Sequence, residues 1–315
     1  MKNKFVDMIP KYIINRLLIL MLFATAIGYS QQDPQYTQYM YNTMSVNPGY
    51  TGSLDHLAIS VLHRSQWVGL KGAPKTQTLS FHTPLQKNVG VGLSIINDHL
   101  GPSNETYADA NFSYTVNTSD FNKLSFGLKA GARFFNVDWA KGIHELPDPL
   151  LNENINKVFL TLGAGMYYYS DNWYLGLSVP NFITNDYYDS SNTVNPIDKE
   201  RLHYFLIGGY VFDLNDNLKF KPAFMAKAVS GAPWIADFSA NFLINKRFTL
   251  GAAYRFDDAV SALVGFQINK NVSIGYAYDS NTSSLRHYNN GTHEIMLKYE
   301  FVRVSNVINL SPRFF

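Results

Sequence analysis

The stretch RFTLGAAYRF, from Arg247 to Phe256, carries the pattern that decides the fold. Apolar side chains occupy every second position, at Phe248, Leu250, Ala252, Tyr254 and Phe256. The positions between them hold arginine, threonine, glycine and alanine. Because successive side chains of a strand point to opposite faces, this spacing predicts a strand with one apolar face and one small or polar face.

The same alternation runs along most of the chain after residue 30, and helical periodicity is nearly absent. The segment from Leu124 to Phe134 repeats it, with serine, glycine, lysine and arginine on the polar face. The alternating segments predict fourteen strands, near 57–66, 76–84, 88–97, 106–117, 122–135, 157–170, 172–180, 201–213, 217–229, 234–245, 247–257, 259–269, 271–279 and 291–302.

The connections between these strands alternate in length. Short polar turns join every second pair, as at residues 171–172, 215–216 and 270–271, whereas most intervening links are long, above all 136–156 and 181–200. An even number of strands of about ten residues with this alternation is typical of an outer-membrane barrel. The sequence therefore predicts an all-β fold, a transmembrane antiparallel β-barrel of about 14 strands in the cell outer membrane, with both termini on the periplasmic, short-turn side.

A soluble sandwich also alternates, but its outward face carries lysine and glutamate, whereas here glycine and serine dominate the polar face. Aromatic residues cluster at the predicted strand ends, where rings with a polar tip suit the boundary between lipid and water. These predicted girdle residues are Trp67, Trp173, Tyr174, Tyr187, Tyr188, Trp234, Tyr276, Tyr278 and Tyr299.

The first 30 residues are predicted to be an export signal. A basic start is followed by an apolar stretch over Leu17–Ile27 and by the small residues Gly28 and Ser30 before Gln31. Eleven residues are too few for a helix across the bilayer, which needs about 20. The alternative is a retained membrane anchor. The resulting division is a signal peptide at 1–30, a periplasmic or plug segment at 31–53, a barrel at 54–302 and a periplasmic tail at 303–315.

Composition excludes several classes of function. Of 26 lysines and arginines, four lie in the signal, as does one of the 24 acids, which leaves 22 against 23 in the mature chain. This balance provides no basic surface for nucleic acid. The absence of cysteine excludes disulfides and thiolate sites. The eight histidines form no close ligand pair of the H-E-x-x-H kind. We therefore predict no enzyme activity, no metal and no cofactor, with a barrel hydrolase as a remote alternative.

The predicted inward face carries charges of both signs. The main candidates for the lumen are Arg64, Lys129, Arg133, Asp237, Arg255 and Glu294, with Lys219, Lys221, Lys227, Lys298, Asp109, Asp279 and Glu300 beside them. These side chains could line a selective aqueous channel. They could also form a mutually neutralising ladder that stiffens the wall, and the presence of both signs favours the ladder.

The segment Gln31–Ser53, QQDPQYTQYMYNTMSVNPGYTGS, neither alternates nor carries charge beyond Asp33. Its tyrosines, Tyr36, Tyr39, Tyr41 and Tyr50, are candidate partner-binding residues because phenol rings offer large contact area with a polar handle. The segment could plug the barrel or lie across its periplasmic mouth. The alternative is a flexible leader without a role of its own.

Several motifs resemble one known family. DPQYTQYMYN at Asp33–Asn42 and NPGYTG at Asn47–Gly52 resemble the opening of the PorP/SprF family, the type IX secretion system outer-membrane proteins of Bacteroidetes. Similar pieces follow in order along the mature chain: RSQWVGL at 64–70, GAPKT at 72–76, NDHLGP at 97–102, SGAPW at 230–234, AYRF at 253–256, GTHEIML at 291–297 and the terminal SPRFF.

The resemblance implies a barrel that serves protein secretion and gliding motility rather than catalysis. It also implies partners: the periplasmic ring lipoprotein and its partner protein, and secreted adhesin-type cargo, in addition to outer-membrane lipid. It supplies no catalytic residues. An outer-membrane solute transporter of the fatty-acid importer type remains the alternative, since that class also combines a fourteen-stranded barrel with an N-terminal plug.

Overall fold

The computed structural model describes residues 35–139, 154–184, 201–229 and 233–302. The predicted signal peptide at 1–30, the predicted tail at 303–315 and the girdle candidates Tyr187 and Tyr188 lie outside these ranges. No helix in the described parts of the chain is both long and apolar enough to cross a membrane.

The described residues form fifteen strands in one antiparallel sheet. Their bounds are β1 Leu57–Ser65, β2 Lys75–Gln86, β3 Val89–Leu100, β4 Ser103–Asn117, β5 Lys123–Val137, β6 Ile155–Tyr169, β7 Trp173–Val179, β8 His203–Tyr210, β9 Phe212–Asn215, β10 Leu218–Val229, β11 Ile235–Ile244, β12 Phe248–Arg255, β13 Ala259–Gln267, β14 Val272–Asn281 and β15 Thr292–Phe301. Short 3-10 turns occupy Tyr39–Tyr41, Thr43–Ser45, Pro48–Tyr50 and Ser284–His287.

The sheet closes on itself because the first and last strands pair. β1 lies between β2 and β15, and β10 pairs with β11 as well as with β8, so fourteen strands form a continuous ring. The short β9 is extra, and it pairs with the start of β10. The prediction of a transmembrane antiparallel barrel of about 14 strands is confirmed. Closure gives each of the fourteen strands of the ring two neighbours, which is what a sheet in a membrane requires.

Two features differ from the sequence-based expectation. The strand predicted at 201–213 is divided into β8 and β9 at Val211, whose N–H donates to the Asn172 carbonyl instead of the β10 ladder. The link between β3 and β4 is a two-residue turn, because both strands extend beyond their apolar parts. Asn97, the last residue of the predicted strand, donates hydrogen bonds to Asn104 and Thr106 of β4, and beyond it Asp98 and His99 of β3 lie opposite Glu105 and Asn104. Where both partners are polar, the sequence shows no alternation of apolar and polar residues, so this part of the two strands is not predicted.

The two faces of the wall differ as predicted. Large apolar side chains such as Leu93, Leu128 and Leu250 are exposed on the outer face, where lipid would cover them. The alternate positions point inward and are mostly buried. One girdle prediction is wrong: Tyr174 faces inward and is buried, because it follows the outward Trp173 by one position in β7.

Turns of the ring fall into two groups. The end of the barrel where β1 begins and β15 ends also has the turns at 87–88, 170–172, 216–217 and 245–247, and we name it the short-turn end. The opposite end has the connections at 66–74, 138–154, 180–202 and 282–291, and we name it the long-loop end.

Candidate functional site: the barrel interior

Residues 35–54, which we name the inner segment, are enclosed by the wall. Thr37, Gln38, Asn47 and Thr51 have no exposed surface, and Tyr36, Tyr39, Tyr41 and Tyr50 are buried. The segment is compact because its three short 3-10 turns follow each other directly. Asn47 caps the start of the last of these turns, because its side-chain oxygen accepts a hydrogen bond from the Gly49 N–H. Pro48 occupies the first position of the turn, where no backbone N–H is needed.

The start of the inner segment is bound by an ionic group near the long-loop end. The backbone N–H groups of Thr37 and Gln38 donate to the two oxygens of Glu294, at 3.0 and 2.7 Å. The Thr37 hydroxyl donates to Asp279 at 2.8 Å. Arg64 Nη1 contacts both carboxylates, at 3.0 Å from Glu294 and 2.9 Å from Asp279, and donates to the Thr37 hydroxyl. These partners lie on β1, β14 and β15, close to the ends of those strands.

The middle of the segment contacts the other walls. Ser80 of β2 donates to the side-chain oxygen of Asn42 at 2.8 Å, and Ser178 of β7 donates to the Val46 carbonyl at 2.7 Å. Asn47 donates to the Met166 carbonyl of β6 at 2.9 Å. Because β2 and β7 lie on different sides of the ring from β14, the inner segment crosses the interior rather than lining one wall.

The last residues of the segment lie at the short-turn end. Ser113 of β4 donates to the Thr51 carbonyl at 2.6 Å, and the Gly52 N–H donates to His82 Nδ1 at 3.3 Å. Gly52 has φ +64°, and a methyl group there would overlap the backbone of Gly90. The chain then leaves the interior and begins β1 at Leu57.

Inward-facing glycines make room for the segment. A Cβ atom at Gly127 would overlap the backbone of Pro48 and Gly49, and one at Gly165 would overlap the Asn47 side chain. Further glycines meet the segment in the same way: Gly90 under Thr51, Gly92 under Met44, Gly176 under Asn47 and Gly275 under Gln38. The glycines of the polar face are therefore places where the segment approaches the wall closely.

No strand pairing joins the inner segment to the wall among the described residues. Its backbone hydrogen bonds are to itself within the 3-10 turns, or to side chains of the wall. The barrel ladder is complete without it. The segment is therefore docked into the interior through side chains.

The four predicted tyrosines all lie inside the barrel. Tyr36 accepts a hydrogen bond from the Thr78 hydroxyl at 3.1 Å, and the Tyr50 ring packs edge-on against His82 and Tyr167 at 5.3 and 5.5 Å. Burial raises the pKa of the Tyr39 and Tyr41 phenols far above their usual value, and Asp237 adds to the rise at Tyr39. Both phenols therefore stay neutral at any physiological pH.

The predicted lumen residues all point inward, and all are nearly fully buried except Lys219 and Glu300, whose side chains are 18% and 20% exposed. The six main candidates separate into two groups. Arg64 and Glu294 belong to the anchor of the inner segment, and Arg255 contacts Asp237 at 3.1 Å and Asp258 at 3.2 Å. Asp279 lies within electrostatic reach of both Arg64 and Arg255, so these charges form one continuous network.

The second group lies on β4, β5 and β6. Lys129 contacts Asp109 at 3.2 Å, and Asp109 also accepts a hydrogen bond from Thr161 at 2.6 Å. The Arg133 guanidinium lies over the Phe159 ring at 4.9 Å and 3.8 Å from Glu105. Neither group contains three His, Cys, Asp or Glu side chains placed as metal ligands in the described residues. Of the two groups, the first binds peptide N–H groups of the inner segment directly, through Glu294.

Sequence reasoning missed the polar residues that anchor the inner segment. Thr37, Gln38, Asn42 and Asn47 make its specific contacts, whereas the analysis of the sequence emphasised the tyrosines. One signal was available: the inward glycines of five strands leave space that a barrel filled only by its own side chains would not need. Gly90 and Gly92 of β3 are two of these inward-facing glycines.

One comparison with known proteins identifies a family. The sequence profile of one family, described as type IX secretion system membrane protein PorP/SprF, matches residues 28–299. No curated protein matches.

Solved structures with the same kind of architecture share little sequence with this chain. The outer membrane protein Omp33 of Acinetobacter baumannii is 9% identical, with 80% of this chain and 100% of that chain covered and a TM-score of 0.45. A FadL homologue of Pseudomonas aeruginosa is 13% identical, with 86% and 95% covered and a TM-score of 0.47. The monoaromatic hydrocarbon channel CymD is 10% identical, with 84% and 94% covered and a TM-score of 0.49.

The family profile covers most of the chain. The closed sheet, with its apolar outer face and its charged, glycine-rich inner face, agrees with the description of that family as membrane proteins. The chain belongs to the PorP/SprF family of type IX secretion system membrane proteins and is an outer-membrane β-barrel.

Proposed function

We propose that this protein is a non-enzymatic barrel of the type IX secretion and gliding machinery, with its interior plugged by its own inner segment. In this role it supports secretion or surface attachment of large adhesin-type cargo and docks to the periplasmic ring lipoprotein and its partner. The observation that carries the proposal is the enclosure of residues 36–51 within the ring of strands, with hydrogen bonds to opposite walls. A barrel filled in this way is a scaffold rather than an open conduit.

The charged interior supports the same view. Arg64, Lys129 and Arg255 each contact a buried carboxylate, so the inward charges neutralise each other along the wall. An aqueous channel would instead present solvated charges. We therefore favour the ladder of mutually neutralising charges over the selective aqueous channel. In this proposal the termini and the short turns lie on the periplasmic side, where the barrel would contact the periplasmic ring.

The test replaces Tyr36, Tyr39 and Tyr41 by serine in the chromosomal gene. Loss of three buried rings weakens docking of the inner segment but leaves all strand pairs in place. We expect the barrel to remain in the outer membrane with heat-modifiable mobility, while the amount of large adhesins at the surface, or ring protein that co-purifies, falls. A matched control is Tyr114→Ser, since Tyr114 is exposed on the outer face.

Unchanged secretion and ring association in the triple variant would contradict the proposed role of the segment. Deletion of the whole gene separates the two classes of function. Loss of particular surface proteins supports the secretion role, whereas an intact surface proteome with lost uptake of an apolar solute would favour the transporter alternative.

A further inference from the structure

We infer that the interior of the barrel is a peptide-binding site whose present occupant, the inner segment, can be exchanged for a free peptide of the same chemistry. This inference rests on the proposed function, because it describes how the plug is held. The ligand class is a short, uncharged, tyrosine-rich peptide that enters from the short-turn end.

The wall recognises the segment largely through its peptide groups. Glu294 accepts hydrogen bonds from two successive backbone N–H groups, those of Thr37 and Gln38. Hydroxyls of Ser178 and Ser113 donate to the carbonyls of Val46 and Thr51. Contacts to backbone groups from separate strands are a way of binding a peptide, and they do not require that the peptide be covalently attached.

The electrostatics of the site select a neutral ligand. The chain from Gln35 to Ser53 contains no Asp, Glu, Lys, Arg or His. The carboxylates that contact it, Glu294 and Asp279, are already balanced in part by Arg64. A charged side chain placed in this enclosed interior would need a new partner, which costs several kcal/mol. The interior is therefore matched to peptides that lack charge.

The segment has a route out that breaks no β-ladder. It is held by side chains, and it is tied to β1 only at the short-turn end through Gly52, whose positive φ favours glycine. Asp55, just beyond, is exposed. Withdrawal of the segment therefore breaks the docking contacts and leaves the ring of strands closed.

The experiment uses the full chain with a protease site inserted between Asp55 and His56. After purification in mild detergent and cleavage, the inner segment is retained only by its contacts. A fluorescent synthetic peptide covering residues 35–54, with both of its ends blocked so that it carries no charge, is then added, and its binding is followed by anisotropy. We expect the cut segment to co-purify with the barrel and to be displaced by one labelled peptide per barrel.

Two peptide variants provide a matched comparison. Thr37 and Thr51 are equally buried, but the Thr37 hydroxyl is bound by Asp279 and Arg64, whereas the Thr51 hydroxyl has no hydrogen-bond partner. Thr37→Val removes hydrogen bonds to charged groups and is expected to weaken binding at least about tenfold. Thr51→Val removes none, and its affinity should be unchanged or slightly higher.

A second comparison changes the barrel. Glu294→Gln should weaken binding, whereas Asp109→Asn, a buried carboxylate that contacts Lys129 and Thr161, should leave it unchanged. If Glu294→Gln fails to assemble, the peptide variants still provide the test, because they leave the barrel intact. Immediate loss of the cut segment, absence of exchange, or equal affinity of the two valine peptides would each overturn the inference. None of these outcomes depends on secretion, so they are separable from failure of the proposed function.

Discussion

Gly127→Ala is the most direct probe of the docked inner segment. Gly127 lies in the first third of β5, and a methyl group there would overlap the backbone of Pro48 and Gly49. Overpacking of this kind costs about 1–3 kcal/mol. The cost falls on the docked state alone, because the overlap disappears when the segment withdraws. A penalty of that size raises the undocked population by roughly five- to 150-fold.

The assay uses the absence of native cysteine. Thr43→Cys introduces a single thiol in the buried part of the segment, and its reaction with a soluble maleimide reports the undocked fraction. Gly265→Ala is the control, since a Cβ atom there meets only side-chain atoms of Thr249 and Tyr41, at 3.2 Å and beyond. We expect the labelling rate to rise roughly five- to 150-fold in the Gly127→Ala background and by less than about twofold in the Gly265→Ala control. Equal rates in both backgrounds, with assembled barrel, would refute the docking geometry.

Three further predictions concern topology, register and the buried charges. A cysteine at Ser284, in a long loop, should react with an impermeant reagent on intact cells, and one at Asn172, in a short turn, should not; equal labelling would invert the orientation. Leu128→Arg places a charge on the lipid face at a cost of roughly 2–4 kcal/mol and should reduce heat-modifiable barrel in membranes, which a normal yield would contradict. Arg255→Met leaves the buried carboxylate of Asp237 without its main partner, and breaking a buried pair costs about 3–5 kcal/mol. The unfolding midpoint in denaturant should therefore fall further in Arg255→Met than in the double variant Arg255→Met with Asp237→Leu, which removes both charges. A double variant less stable than Arg255→Met would contradict this reasoning.

The barrel could be predicted from the sequence because its signal is local. Alternation along β5 and β12 assigns each side chain to one face, and both strands were found at their predicted positions within about two residues. The division at Val211 could not be predicted in this way. It depends on whether the Val211 N–H bonds to Asn172, in the turn before β7, or to β10, and a change of hydrogen-bond partner leaves the apolar pattern of the strand unaltered.

The interior was harder to predict than the wall. The inward direction of Arg64 and Glu294 follows from alternation, but their mutual contact depends on β1 pairing with β15, a pairing between the two ends of the chain. The role of Thr37 is less accessible still. Its partners come from three strands, and no short-range pattern marks a residue whose importance arises only when distant strands enclose it.

The pairing of β1 with β15 has a consequence for the order of assembly. These strands are separated by most of the chain, so their contact has the largest loop-closure cost and is expected to form last. Arg64 contributes ionic contacts across this junction, and Thr37 and Gln38 are hydrogen-bonded to Glu294 beside it. Threading the inner segment into an already closed ring, as exchange of the cut segment requires, would be slower than the pairing of strands during folding. We therefore expect the segment to settle first on the open sheet of β2–β7, beside Gly127 and Ser178, and the final strand pair to close over it. Time-resolved protease protection during refolding would show the segment protected before, or together with, the β1–β15 junction; protection that lags behind closure would indicate threading instead.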